Sequence, residues 1–243
     1  MPDLDRLLQP NPFAGDDGSM PAELGEALAA PEHLRMSAIV SALRRVLVPI
    51  DPHPHPGRNT DGSVAAHDRS SSNPLECPPE ALIMVDFPGG RRAIPVFSHA
   101  AALTRQYPTA RPVPVDIAQV AAAAITRSDG VLVLDPGEPE ATWIGRSAVM
   151  ALMTGEVWQA PWDDPHIVER IMAGLGGYVR GLESISIEPG AGGSAVVMLY
   201  VIALCDRAQV VSIAEKVSEA MMADPYVRAR LDVVEMRPVF AGA

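Results

Sequence analysis

The stretch GRRAIPVFSHAAALTRQYPTARPVPVDIAQVAAAAI, Gly90 to Ile125, constrains the fold of this chain more than any other. It reads strand, helix, strand, helix, with turn and capping residues at each junction. ALIMVDF (Ala81 to Phe87) reads as a buried strand, PGG as a turn, and RRAIPVF (Arg91 to Phe97) as its hairpin partner. Ser98 is placed to cap the helix HAAALTRQ. RPVPV (Arg111 to Val115) is extended, and its two prolines suit an edge. Asp116, with Gln119 three residues on, has the pattern of a capping box for IAQVAAAAIT, whose apolar face is Ile117, Val120, Ala121, Ala124 and Ile125. GVLVLD (Gly130 to Asp135) reads as a buried strand with ATWIG (Ala141 to Gly145) as a candidate partner, and RSAVMALMTG as a helix closed by Gly155.

On the N-terminal side, Met36, Ile39, Val40, Leu43, Val46 and Leu47 follow helical spacing, and Pro49 turns the run into a short strand. Asp51 to Pro79 is rich in Pro, Ser, Asn and Asp and has no periodicity, so it reads as a long polar loop. Beyond Gly155 the segment to Asp164 is a linker carrying Trp158 and Trp162. Asp164-Pro165 supplies an N-cap and first helical position for a helix with Ile167, Ile171 and Leu175 on its face. SISIE alternates, PGAGGS turns, and AVVMLYVIAL is a central strand. Asp206 and Gln209 repeat the capping-box pattern ahead of a stripe of Val210, Ile213, Ala214, Val217 and Met221, and DVVEMRPVF closes the order as a strand. The expected class is α/β of the α+β kind, in two domains. A mobile acidic arm occupies 1–31, a mixed sheet with flanking helices 32–154 (51–79 its loop), and a linker 155–164. An α-β-β-α-β layer with helices on one face of a mostly antiparallel sheet fills 165–243.

Charge narrows the partners. The net charge is −11, and residues 155–243 hold twelve acids against seven bases. No dense Lys/Arg stripe exists, which argues against nucleic acid and acidic membrane surfaces. The two cysteines, Cys77 and Cys205, do not make a disulfide framework, and the first residues lack a signal-peptide pattern. A cytoplasmic protein is expected.

No residue set reads as catalytic, and no motif asks for a cofactor. His53, His55 and His67, with Asp51 or Cys77, are a candidate zinc set, but HPHP offers no rigid scaffold. Cys77 has no neighbouring base, and Cys205 reads as a core thiol. PGAGGS is followed by a strand and has no lysine, unlike a phosphate loop. Ser98 and His99 are adjacent, which on a helix would point them apart. Asp86, Asp129 and Asp135 sit at strand ends, where α/β sheets bind ligands. Arg91, Arg92 and Arg111 are candidates for an anion clamp.

The segments Arg92-Ala93-Ile94-Pro95-Val96-Phe97-Ser98, Arg111 to Val115 and Leu47 to Ile50 together resemble the N-terminal domain of the SseB family, the enhanced-serine-sensitivity proteins. Ala223 to Asp232 resembles the ending of the second domain found in that family. The polar stretch before Ala81 is longer than the family pattern. The resemblance implies a cytosolic bacterial protein with no catalytic residues to carry over and a link to serine sensitivity. Three readings follow: a non-catalytic binding or regulatory protein for a protein partner or small metabolite; an enzyme acting on an amino acid or related metabolite; or an interaction module tethered by the arm and the loop. The oligomeric state is left open.

Overall fold

The computed structural model describes residue 13 and residues 15–51 and 82–241. These form an α+β structure that divides into two units. One comprises the chain up to Gly25 with Leu43–Ala141; the other comprises Glu26–Ala42 with Thr142–Ala243. The short helix α1, Ala22–Leu28, contains the point where the chain passes between them.

In the first unit β1 (Arg45–Ile50) pairs antiparallel with β4 (Arg111–Asp116), so that Leu47 faces Pro114 and Pro49 faces Pro112. Leu47 exchanges both backbone hydrogen bonds with Phe97, each at 2.8 Å, so its N–H points away from β4. By alternation, Pro49, Pro112 and Pro114 all fall at sites where this ladder requires no N–H. That is why a proline-rich segment can be a strand here. The hairpin of β2 (Val85–Phe87) and β3 (Arg91–Val96) turns through Gly89 and Gly90, both at positive φ. β3 then pairs parallel with β5 (Leu132–Leu134). A parallel pair needs a crossover. It is supplied by α3 (Ala100–Gln106), β4 and α4 (Ile117–Arg127). The sheet is mixed, as expected. Leu47, Phe97, Ala102, Leu103 and Ala110 form a core cluster, with Tyr107 edge-on to Phe97 at 5.9 Å.

The structure changes three sequence readings in this region. The helical stripe from Met36 to Leu47 ends early: α2 covers Glu32–Ala42, and Val46 and Leu47 belong to β1. Strand pairing at β1 buries Val46, Leu47 and Val48 together, which a one-faced helix does not do. Among the described residues of the strand read over Ala81 to Phe87, only Val85–Phe87 form a strand, with Leu82 making an isolated bridge to Ile50. Asp116 caps α4 by accepting from Ala118, one residue short of the capping-box partner.

The second unit holds α2, β6 (Thr142–Ile144), α5 (Arg146–Thr154), α6 (Pro165–Gly174), β7 (Leu182–Pro189), β8 (Ala195–Ile202), α7 (Arg207–Ala223), α8 (Pro225–Arg230) and β9 (Val234–Ala241). Asp164 accepts from the His166 amide to cap α6, and Asp206 with Gln209 forms a complete capping box on α7. Gly155, at φ 74, ends α5. Ile167 and Ile171 of α6 and Ile213 and Val217 of α7 pack with Val197, Leu199 and Val201 of β8 into a core. The sheet order is β7-β8-β9. β7 is antiparallel to β8, but β9 is parallel to it, so the sheet is not mostly antiparallel. The helices α7 and α8 lie between β8 and β9 and form the crossover that returns the chain so that β9 runs in the same direction as β8. PGAGGS forms a single 3₁₀ turn, Ala191–Gly193, with Gly192 and Gly193 at positive φ.

Candidate functional site

The polar centre of the first unit lies where parallel strands β3 and β5 end. β3 runs out into Phe97, Ser98 and His99, and β5 into Asp135. The Ser98 amide donates to Asp135 Oδ1 at 2.8 Å, and the Asp135 amide donates back to the Val96 carbonyl at 2.8 Å. Asp135 is 5% exposed and holds φ at 49°, a conformation that Asp tolerates better than most side chains. Burial raises its pKa above the ordinary carboxylate value, while the Ser98 hydroxyl and amide, and to a smaller extent His99, pull it down.

Ser98 and His99 do not point apart. Both precede α3, and His99 has extended backbone (φ −149°, ψ 158°), so helical geometry does not apply to the pair. The Ser98 hydroxyl lies 2.8 Å from His99 Nδ1. Nor is Ser98 the N-cap of α3: that position is held by His99, whose side chain makes no capping hydrogen bond. Ser98 has 0% exposure, whereas His99 is half-buried.

The strand-end position is held by a residue that the sequence did not single out. Arg45, at the start of β1, donates from Nη1 to the Ser98 carbonyl at 3.0 Å and from Nη2 to the Ser19 carbonyl at 2.9 Å. Its guanidinium also forks onto Asp16, with Nε–Oδ2 2.5 Å and Nη2–Oδ1 2.7 Å. The two side chains are only 13% and 11% exposed. The Ala100 amide donates to the Gly18 carbonyl, and a Cβ on Gly18 would stand 2.9 Å from the Ala100 Cβ. The acidic turn around Asp16 is thus packed onto the first turn of α3. The sequence reading placed this turn in the mobile acidic arm, and no local spacing links it to a residue 29 positions away.

The other candidates separate. Asp86 and Arg92 pair at 3.7 Å on the β2–β3 hairpin, with side chains 97% and 57% exposed. Asp129 accepts from the Arg92 amide at 2.9 Å, and Arg91 stacks on the Phe87 ring at 4.5 Å. Exposed Arg111 lies on β4, in the other strand pair. Asp86 and Arg92 therefore belong to one surface hairpin, to which Asp129 bonds from the turn before β5, and of the three candidate acids only Asp135 is buried. His53, His55, His67 and Cys77 lie outside the described residues. Among the described residues no group of three His, Cys, Asp or Glu side chains is placed to hold a metal ion. No helix among them is long and apolar enough to cross a membrane. Cys205 is partly exposed, with Sγ 3.8 Å from the Gly181 carbonyl, and packs at the margin of the second core rather than within it.

The second unit has its own polar centre. The Tyr226 hydroxyl donates to Asp164 Oδ2 at 2.7 Å, and Arg230 Nε lies 3.3 Å from the same oxygen. Arg230 stacks 3.7 Å from the Tyr226 ring centroid and Arg170 4.9 Å from it. The hydrogen bond to the Asp164 carboxylate holds the Tyr226 pKa above its ordinary value. Trp158 and Trp162 meet edge-to-face at 5.9 Å, and Trp158 Nε1 donates to Ser147 Oγ at 3.1 Å. Beside Trp162 an open groove of about 540 Å³ runs between α6 and β7, lined by Pro161, Val168, Met172, Ile185 and Ile187 among others. Nothing in the local sequence marked it, because it is made where two separate segments, one from Pro161 to Met172 and one from Ile185 to Ile187, meet in the fold.

The model of the SseB protein N-terminal domain matches residues 23–151. That span contains Arg45, Ser98, His99 and Asp135, together with the hairpin of Asp86 and Arg92. It does not reach the Ala223–Asp232 segment. No curated protein is found to match the chain. A match over more than half of the 243 residues, carrying the strand Arg91–Val96 and the proline-bearing β4, shows that the chain belongs to the SseB family.

Proposed function

We propose that this protein is a non-catalytic binding or regulatory protein of the bacterial cytoplasm. Its target is a protein partner or a small metabolite, with a link to amino-acid and in particular serine sensitivity. One observation carries the reading. Ser98, the hydroxyl best placed for chemistry, has no exposed surface, and its neighbours are spent on holding the chain. Asp135 Oδ1 takes the Ser98 amide, and Arg45 takes the Ser98 carbonyl and Asp16. A nucleophile must reach its substrate, and a candidate base must face the proton it removes. The net charge of −11 supports a partner other than nucleic acid or an acidic membrane.

The test is calorimetric titration of the full chain with L-serine and other amino acids, alongside prolonged incubation with the same compounds read by mass spectrometry. Binding without chemical change is expected. Turnover of any of them that disappears in Ser98→Ala overturns the reading. It would instead favour an enzyme acting on an amino acid, for which the 2.8 Å contact of Ser98 with His99 beside a buried carboxyl group is the supporting geometry.

A further inference from the structure

β7 is an edge strand, and the direction of its free backbone groups follows from the ladder. The Gly190 amide donates to the Ser194 carbonyl, making these opposite residues a hydrogen-bonded pair. The Ala195 amide instead donates to Val233, on the β9 side. Alternation then assigns Ser184, Ser186 and Glu188 to bonds with β8, and turns Ile185, Ile187 and Pro189 outward. Pro189 has no N–H to leave unmade. Ile185 and Ile187 have one each, in residues only 7% and 8% exposed, and neither donates to any acceptor among the described residues. A sheet-edge amide with no partner in its own chain is free to donate to the carbonyl of an added strand. The groove beside Trp162 lies along this edge, lined by Ile185, Ile187, Val168 and Met172.

We propose that the outer edge of β7 takes an extended segment of a partner protein as a fourth strand. The segment presents apolar side chains to the groove and basic side chains at its flanks. This names a partner class for the binding role proposed above and rests on that reading. The backbone of such a segment supplies carbonyls to Ile185 and Ile187, and every second side chain enters the groove over Val168 and Met172. Charge selects the flanks. The ionisable groups that line the groove are Asp164 and Glu169, both acids. Asp164 is occupied by Tyr226 and Arg230, while Glu169 is 68% exposed and, among the described residues, pairs with His166 alone. Glu183 and Glu188 are exposed on β7 itself. The same acids disfavour a second copy of this chain, because pairing β7 with β7 about a twofold axis sets like charges together.

The probe is the peptide Ac-Lys-Val-Thr-Leu-Thr-Val-Lys-NH2, added to the full-length protein and followed by anisotropy and by hydrogen exchange. Saturable binding is expected, with exchange at the Ile185 and Ile187 amides slowed at least tenfold. A peptide N-methylated at alternate amides should lose at least tenfold in affinity. Glu169→Lys, an exposed change, should weaken the basic peptide by about two- to fivefold and strengthen its Glu-flanked counterpart. Three results overturn the proposal: no saturation at millimolar peptide, binding indifferent to N-methylation, or a chain already dimeric in light scattering that the peptide leaves dimeric and unbound. If an amino acid still binds while the peptide does not, this inference alone falls. Turnover lost in Ser98→Ala removes the reading beneath it.

Discussion

Ser98 and Asp135 hold one another across 37 residues of chain: the Ser98 amide donates to Asp135 Oδ1 at 2.8 Å, at the ends of two parallel strands. The carboxyl group therefore acts as a splint between β3 and β5 at the point where both strands stop.

Its protonation has a direction. The Asp135 pKa is raised in the fold, mainly by burial. Its contribution to stability is fully present below the unfolded value of about 3.9 and is lost as pH rises through the raised folded value. Asp135→Asn keeps the Oδ1 acceptor and tolerates φ 49°. It is expected to flatten that part of the stability–pH profile and to be at least as stable as the parent at pH 7. Asp135→Ala leaves the Ser98 amide without a partner and should cost about 1–3 kcal/mol. Urea unfolding at several pH values, followed by hydrogen exchange of β3 and β5, separates the two. An Asn variant less stable than the Ala variant would contradict the assignment.

Arg45 and Asp16 form a largely buried pair, so removing one partner strands the other. Arg45→Met is expected to destabilise the first unit by about 3 kcal/mol, and high salt should barely change the loss. Faster exchange at the Leu47 and Phe97 amides is the readout. The double variant Arg45→Met with Asp16→Leu should recover part of the loss.

Two tyrosines are expected to ionise late in an alkaline titration followed by absorbance. Tyr107 does so because burial and then the Asp51 charge raise its pKa. Tyr226 does so because it donates to Asp164. Asp164→Asn should return Tyr226 toward ordinary behaviour and leave Tyr107 unmoved; two late tyrosines in that variant would show that the hydrogen bond is not the cause.

Gly193 and Gly155 both have positive φ, 84° and 74°. A Cβ at Gly193 would stand 2.5 Å from the Trp143 carbonyl oxygen, whereas one at Gly155 meets nothing within 4 Å. Gly155→Ala should cost about 1 kcal/mol from backbone conformation alone. Gly193→Ala should cost distinctly more, because rigid backbone must move. Equal losses in thermal unfolding would refute the close approach.

Much of this architecture was legible before any coordinates. The helix starts at Asp164 and Asp206, the glycine stop at Gly155, the hairpin through Gly89-Gly90 and the edge character of the proline-bearing β4 are all local statements. Each is satisfied within a few residues, so spacing alone reports it. The helix read through Leu47 failed because tertiary burial on both faces of β1 outweighed a local helical period that continued by coincidence. The Ser98–His99 pair was misjudged because helical geometry was applied one residue before the helix begins.

The sequence by itself determined the helix starts at Asp164 and Asp206, the stop at Gly155, the α+β class and the family, since these rest on periodicity, caps and a contiguous motif. The tertiary structure alone decided that β3–β5 and β8–β9 run parallel, that Ser98, Asp135, Arg45 and Asp16 meet, and that β7 leaves two amides facing a groove. The reason is physical: local hydrogen bonds close within about four residues and leave a readable pattern. Contacts spanning 29 or 37 residues depend on how crossovers return the chain, and no short spacing records that.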